Sequence, residues 1–203
     1  SLREEIKKLT ELNSRVSDEA NNLTKALKGD VKKQGNWGEV VLERVLERSG
    51  LTKGQEYETQ EEIQAGDNSR QRPDVIVHLP DDKHIIIDSK VSLIAYERFS
   101  SAETPEEQNR HLKEHIGSLR AHVKELSDKN YQDGLKINSP DFVLMFLPVE
   151  ASFSVAVQSD NELFAYAWER KIVVVSRTTL LATLRTISSI WRQENQTRNA
   201  QEI

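Results

Sequence analysis

Apolar residues of this 203-residue chain follow a helical repeat near its N-terminus and form short continuous runs in its middle. The N-terminal repeat is a heptad over residues 1–30. Its two seam positions are occupied by Leu2, Leu9, Val16 and Leu23, and by Ile6, Asn13, Ala20 and Leu27. Four heptads with charged flanks predict a coiled-coil arm, and Asn13 at a seam position favours a parallel homodimer. The alternative is a single amphipathic helix that packs on its own domain.

Two apolar runs in the middle of the chain, 75–77 and 85–87, flank a turn-forming segment. Runs that are apolar on both faces predict buried strands, here the two strands of a β-hairpin. Asp74 precedes the first run, Asp88 follows the second, and Lys90 lies two residues further on the same side of the strand. Burying these charged groups is costly unless they bind an ion or a ligand of opposite charge, so a divalent metal site is predicted. The alternative is a salt bridge at the end of the strand.

The other periodic segments complete a mixed α/β pattern over residues 31–203. We predict helices over 37–48, 105–128 and 178–198, and a further helix that is capped by residues 159–162 and ends near 169. Strands are predicted over 57–63, 73–79, 84–91, 142–147 and 172–175. Thr104-Pro105-Glu106-Glu107 is a capping box with proline at the first helical position. The order α-β-β-β-α-β-α-β-α predicts a sheet sandwiched by helices.

Composition and charge restrict the possible functions. With no cysteine, disulfides and thiolate metal sites are excluded, and a reducing cytoplasm is expected. The formal net charge of −5 excludes a uniformly basic, DNA-coating protein, so any contact with nucleic acid must be local. The candidate basic residues are Lys25, Lys28, Lys32, Lys33, Arg70, Arg72, Arg170, Lys171, Arg177, Arg185 and Arg192. The alternative for each of them is ordinary solvated surface.

Several segments resemble a known family. Gln34-Gly35-Asn36-Trp37-Gly38-Glu39, Arg72-Pro73-Asp74, Asp88-Ser89-Lys90-Val91 and the block 141–150 are similar to the bacterial DNA recombination protein RmuC family. The Asp, Asp and Lys of the hairpin also resemble the PD-(D/E)xK nuclease superfamily. The resemblance covers roughly residues 25–200 and implies a restriction-endonuclease-like mixed β-sheet sandwiched by helices, preceded by the coiled-coil arm.

The resemblance implies a metal-dependent DNA nuclease that acts in recombination and limits DNA rearrangements. Asp74, Asp88 and Glu39 would bind Mg²⁺ or Mn²⁺, with Glu43 as a second choice for Glu39, and Lys90 would orient the attacking water. The partner would be DNA. One alternative is a catalytically inactive DNA-binding scaffold that recruits other recombination proteins, and another is a coiled-coil structural protein that does not bind nucleic acid.

The resemblance also bears on DNA contacts and on the ends of the chain. Tyr96 matches a tyrosine that some exonuclease relatives use to bind DNA ends, although Ser92 replaces their glutamine. The chain starts with Ser and its only methionine is Met145, so we expect a fragment of a longer protein. The resemblance implies a membrane-anchoring or signal-like segment in that parent protein. No membrane contact is expected from the fragment, because no stretch approaches the roughly 20 apolar residues of a span.

Two further features have a structural and a functional interpretation. His111-Leu112-Lys113-Glu114-His115 matches an inverted zincin pattern, but its second histidine borders an apolar stripe and favours half-buried packing. Trp168 and Trp191 lie among apolar residues and are predicted to be core. Trp37 is predicted to lie in a motif loop, where its ring could stack on a base.

Overall fold

A computed structural model describes residues 2–4, 6–7, 30–59, 73–89, 93–129 and 142–201. Residues 2–4 and 6–7 are helical, as the predicted arm requires. Most of the heptad region lies outside the described residues, so the coiled coil, the dimer and the domain boundary at residue 31 stay predictions. None of the helices in the described ranges combines the length and the apolar character that crossing a membrane demands.

The described residues alternate between helices and strands. The helices are α1 (Val31–Arg48), α2 (Ile94–Ser101), α3 (Pro105–Asp128), α4 (Glu150–Ser159), α5 (Leu163–Glu169) and α6 (Arg177–Gln201). The strands are β1 (Tyr57–Thr59), β2 (Val75–Leu79), β3 (Lys83–Ser89), β4 (Val143–Phe146) and β5 (Ile172–Val175). A 3₁₀ turn, Pro80–Asp82, closes the hairpin between β2 and β3.

The described strands form one mixed sheet in the order β1-β2-β3-β4-β5. The pairs β1–β2 and β2–β3 are antiparallel, whereas β3–β4 and β4–β5 are parallel. These antiparallel and parallel pairs confirm in outline the mixed α/β sheet predicted from the sequence.

In the hairpin turn Asp81 and Asp82 have φ of 66° and 56°, a left-handed backbone that aspartate tolerates better than most residues.

The helices cover both faces of the sheet, which explains why the strands are apolar on both sides. Alternate residues of each strand point to opposite faces. Ile85 and Ile87 of β3 pack with α1 and α6, around Leu46 and Leu184, whereas Ile86 packs with α3, α4 and α5. Side chains at the end of β3 can therefore reach either layer, according to their position in the strand.

The predicted start of one helix was wrong, and two helices were not predicted. Helix α1 begins at Val31 and not at Trp37, because the Asp30 side chain accepts a hydrogen bond from the Lys33 amide (3.0 Å) and caps the helix there. Gly35 and Trp37 consequently lie in a helix and not in a loop. Helices α2 and α4 were not predicted, because both are short and carry no marked apolar stripe.

The two tryptophans predicted to be core differ in their environment. Trp191 is partly buried, packs against the core and donates from its indole Nε1 to the His78 carbonyl (2.9 Å), a partner that a tryptophan withdrawn from water requires. Trp168 is 64% exposed, so the core prediction was wrong for this residue. It lies near the end of the short helix α5, whose buried positions are Leu163 and Ala167.

Candidate metal centre

The register of the hairpin brings Asp74 and Asp88 together. Val75 of β2 is paired with Ile87 of β3 in an antiparallel ladder. Asp74 directly precedes β2, and Asp88 directly follows Ile87 in β3. The Ser89 amide donates a hydrogen bond of 2.7 Å to Asp74 Oδ2, which ties the start of β2 to the end of β3. The two carboxylates therefore share one end of the hairpin.

The environment of Asp74 disfavours its ionised form. Burial raises the pKa of Asp74 to about 6, and the negative charges of Asp88 and Glu39 contribute to the rise. The Ser89 amide opposes it by donating a hydrogen bond of 2.7 Å to Asp74 Oδ2. Asp74 is thus held in place by the backbone while its charge is poorly accommodated, as expected of a carboxylate that a cation would stabilise.

Asp88 is more deeply buried, and a lysine that the sequence did not suggest lies close to it. The side chain of Asp88 is 7% exposed, and its Oδ2 lies 3.7 Å from Lys129 Nζ. Lys129 directly follows helix α3, which packs on this face of the sheet. No motif or periodicity marks Lys129, because its position depends on how α3 packs against the sheet.

Glu39 approaches the site from helix α1. Its side chain is exposed and its charge acts on Asp74. Glu43, the second choice, lies one turn further along α1 and pairs with Lys53 (3.5 Å). The structure therefore places Glu39, and not Glu43, near the aspartate pair.

The oxygen donors at the hairpin end fit a hard divalent cation. Mg²⁺ is usually held by one or two carboxylates and several waters, so Asp74 and Asp88 would suffice. The Ser89 carbonyl oxygen is a further possible metal ligand. The buried hydroxyl oxygen of the Ser89 side chain has no hydrogen-bond partner among the described residues. No three His, Asp or Glu side chains in the described ranges are close enough to hold a metal together. Glu39 would therefore complete the shell only through a water or after moving.

The remaining predicted residues are placed as follows. Lys90, Arg70 and Arg72 lie outside the described residues, as do Lys25 and Lys28. Exposed side chains are those of Lys32, Lys33, Lys171, Arg185 and Arg192. Those of Trp37, Arg170 and Arg177 are partly buried, and the Arg170 guanidinium lies 3.7 Å from the centre of the Tyr166 ring.

Tyr96 lies in the interior and not on a DNA-facing surface. It is 4% exposed, and its ring centre lies 5.7 Å from that of His115 and 6.3 Å from that of Phe99. The ring belongs to a small cluster with Leu93 and Val149, against which Trp37 also packs. In this arrangement Tyr96 supports the helices beside the site, because its ring is not accessible to DNA.

The zincin-like histidines do not converge on a common point. His115 is 1% exposed and its Nε2 lies 3.0 Å from the Ser152 carbonyl, so it is more deeply buried than the predicted core-edge position. The His111 ring pairs instead with Glu114 (3.0 Å). Their geometry is that of packing and surface pairing.

Replacing Lys129 by glutamine tests its role beside Asp88. We expect Lys129→Gln to lower the free energy of unfolding by about 1 kcal/mol, a modest loss because the lysine is partly exposed and 3.7 Å away. We also expect Mg²⁺ to raise the melting temperature more in this variant than in the unsubstituted protein, since the ammonium and the cation compete for the same charge. Thermal melts with and without Mg²⁺ measure both effects.

The matched control for this substitution is Lys124→Gln, because Lys124 is an exposed lysine in the last turns of α3, the helix that Lys129 follows. It should change neither the stability nor the response to Mg²⁺. An equal Mg²⁺ response in the Lys129 variant and the unsubstituted protein would contradict the competition.

The sequence is similar to proteins of one family. The sequence model described as "RmuC family" matches residues 1–203. A Pseudomonas aeruginosa protein named DNA recombination protein RmuC homolog is 53% identical over the whole chain, which covers 45% of that protein. The Escherichia coli K12 protein named DNA recombination protein RmuC is 51% identical, with 43% of its length covered.

A Vibrio cholerae protein, also named DNA recombination protein RmuC homolog, is 53% identical over 98% of the chain and 39% of its own length. The chain thus spans less than half the length of these relatives. No solved structure matches it.

Proposed function

The chain belongs to the RmuC family, and from that premise we propose that it is a metal-dependent DNA nuclease domain acting in DNA recombination. The family supplies the link to recombination, because three relatives that match nearly the whole chain carry that description in their names. The local chemistry supplies the reaction type.

The observation that carries the proposal is the pair Asp74 and Asp88 at one end of a buried hairpin. The Ser89 amide, next to Asp88, donates a hydrogen bond to Asp74, and the charge of Asp88 helps to raise the pKa of Asp74. An inert structural site would gain stability by replacing one aspartate with a neutral residue. Retaining two carboxylates is understandable if a divalent cation relieves their repulsion.

The residues at this site can divide the work of phosphodiester hydrolysis. Asp74 and Asp88 would hold Mg²⁺ or Mn²⁺, which when bound lowers the pKa of a water and stabilises charge on the phosphate. Glu39 would orient or deprotonate that water, because its charge acts on Asp74 and its side chain is open to solvent. Lys129, and Lys90 by its resemblance to the superfamily motif, would offset the phosphate charge.

The scaffold alternative also has an observation in its favour. The Lys129 ammonium already neutralises part of the charge on Asp88, and the described residues supply no group of three ligands. A domain with such a site could bind DNA and recruit other recombination proteins without cleaving it. The homodimer through the N-terminal heptads belongs to either version of the proposal.

A metal-dependent cleavage assay separates the two functions. We expect the protein to cut labelled DNA with Mg²⁺ or Mn²⁺ and to lose this activity in EDTA, because the carboxylate pair is useful to catalysis only when it holds a cation. A crystal grown with Mn²⁺ should show anomalous density between Asp74 and Asp88. Salt-sensitive DNA binding without products under any divalent metal would favour the scaffold. No DNA affinity at all would leave only a structural role.

A further inference from the structure

A pocket of about 510 Å³ lies between the end of α1 and the middle of α6, away from the aspartate pair. Its walls include Arg48 from α1 and Arg185 and Arg192 from α6, together with Ser188, Ser189 and Glu56. The α6 residues follow the spacing i, i+3, i+4 and i+7, so they form one face of that helix. The pocket therefore joins two helices of the same layer.

The charge of this pocket is opposite to that of the protein. Three guanidinium groups and one carboxylate give the lining a formal charge of +2, whereas the chain as a whole carries −5. The Glu56 carboxylate is engaged locally, because it accepts a hydrogen bond from the Thr52 amide. A concave surface with this local excess of positive charge attracts anions.

The arginines are available to a ligand. Within the described ranges, neither Arg48 nor Arg185 makes a salt bridge, and the hydrogen bond of Arg192 goes to the Ser189 hydroxyl (3.2 Å). Arg198, further along α6, is paired instead with Glu194 (3.2 Å). Guanidinium groups recognise phosphate through paired hydrogen bonds, so the pocket has the chemistry of a phosphate site.

The spacing favours a polynucleotide over a single phosphate. Arg185 and Arg192 are seven residues apart, which is roughly 10 Å along the helix axis. One strand of DNA advances about 3.4 Å per nucleotide, so this distance spans about three nucleotides. From Glu39 to Arg48 the axis of α1 advances roughly 13 Å, so the pocket and the aspartate pair are too far apart to share one phosphate.

We propose that the pocket formed by Arg48, Arg185 and Arg192 binds the phosphodiester backbone of a DNA strand at a site separate from the metal centre. This inference rests on the proposed function for the identity of the polymer, but not for its cleavage. Contacts of this kind would position the strand without reading its sequence, because hydrogen bonds to phosphate oxygens carry no direct sequence information.

The test is the salt dependence of DNA binding, measured by fluorescence anisotropy in EDTA so that no cleavage occurs. Compared with the unsubstituted protein, Arg185→Gln/Arg192→Gln should bind a labelled oligonucleotide at least about 10-fold more weakly. The slope of log affinity against log salt should fall by about 2, one unit for each arginine that no longer binds a phosphate. The single variant Arg48→Gln, on the other helix, should lower the slope by about 1.

Arg198→Gln is the matched control, because it removes an arginine of α6 that lies outside the pocket. Its affinity and slope should equal those of the unsubstituted protein, and thermal melts verify that every variant is folded. An unchanged slope in both pocket variants would overturn the inference. So would calorimetry in which pyrophosphate binding depends on the arginines and DNA binding does not, since the ligand would then be a small phosphate compound.

Failure of this inference is distinguishable from failure of the proposed function. If DNA binding depends on the arginines but no divalent metal supports cleavage, DNA binding by the pocket is confirmed and the nuclease function is wrong. If cleavage occurs and the pocket variants bind DNA as tightly as the unsubstituted protein, the nuclease assignment stands and the pocket falls.

Discussion

Replacing Asp88 by asparagine is expected to reduce metal-dependent DNA cleavage by at least about 100-fold, the usual loss when one electrostatic stabiliser of a transition state is removed. Asparagine keeps the size of the side chain and one oxygen but removes the negative charge that would hold the cation. Mn²⁺ affinity, measured by calorimetry, should fall together with the activity, because the two depend on the same carboxylate. A gel assay with labelled DNA measures the cleavage.

Two further variants sharpen this prediction. Asp81→Asn makes the same chemical change at the opposite end of the hairpin, in an exposed turn, and should leave cleavage and Mn²⁺ affinity unchanged. Lys90→Ala should abolish cleavage while Mn²⁺ still binds, because its expected role is toward water and phosphate. Full cleavage by Asp88→Asn would exclude the aspartate pair as the catalytic centre.

Replacing Asp74 by asparagine is expected to stabilise the protein at neutral and higher pH. The pKa of Asp74 is about 6 in the folded protein against an ordinary 3.8. At 1.36 kcal/mol per unit this difference corresponds to about 3 kcal/mol, and we expect about 2 kcal/mol because the side chain is partly exposed to solvent. Asparagine can still accept the hydrogen bond from the Ser89 amide. Near pH 8 in EDTA, the melting temperature should rise by about 4–8 °C.

The pH dependence of this gain follows from the direction of the shift. A raised pKa means that the folded protein binds the proton more tightly, so the unsubstituted protein loses stability as pH rises from about 4 to about 6. The advantage of Asp74→Asn should therefore be small near pH 4, grow over that interval and stay constant above it. Thermal melts across this range measure the difference.

Asp160→Asn should change the stability in the opposite direction to Asp74→Asn. Although partial burial acts to raise it, hydrogen bonds from Arg120 and the Glu162 amide hold the pKa of Asp160 below its usual value. Its charge is stabilising above the ordinary pKa and the benefit is lost on acidification. This variant should be less stable than the unsubstituted protein near pH 8. For Asp74→Asn, a melting temperature near pH 8 below that of the unsubstituted protein would contradict the prediction. It would show that the folded protein accommodates the charge of Asp74 without a metal.

Much of the fold was predictable because local sequence patterns specify it. The runs 75–77 and 85–87 are short, apolar at every position and rich in Val and Ile, which predicted strands covered on both faces, and their short turn-forming connection predicted the hairpin. Thr104 and Pro105 marked the start of α3 to the residue. Local signals failed where they were weak or misleading. The glycines of α1 indicated a loop, but the Asp30 cap and the packing of Leu42 and Leu46 keep that segment helical.

Some residues of the candidate site were also predictable from local sequence, and others were not. Sequence adjacency placed Asp74 and Asp88 at the ends of two strands, and an antiparallel register made them neighbours. Lys129 could not be found in this way, because no local pattern specifies which strand the end of α3 will reach. The arginine pocket likewise required the end of α1 to meet the middle of α6.

The sequence by itself determined which elements are buried, where the hairpin turns and that two aspartates end its strands. These follow from the period of apolar residues and from turn and cap preferences, which act over a few neighbouring residues. Only the tertiary structure decided that Lys129 faces Asp88, that Tyr96 is interior and that Arg48 joins Arg185 and Arg192. Those outcomes depend on how helices pack on a sheet, which is fixed by the complementary shapes of side chains distant in the chain.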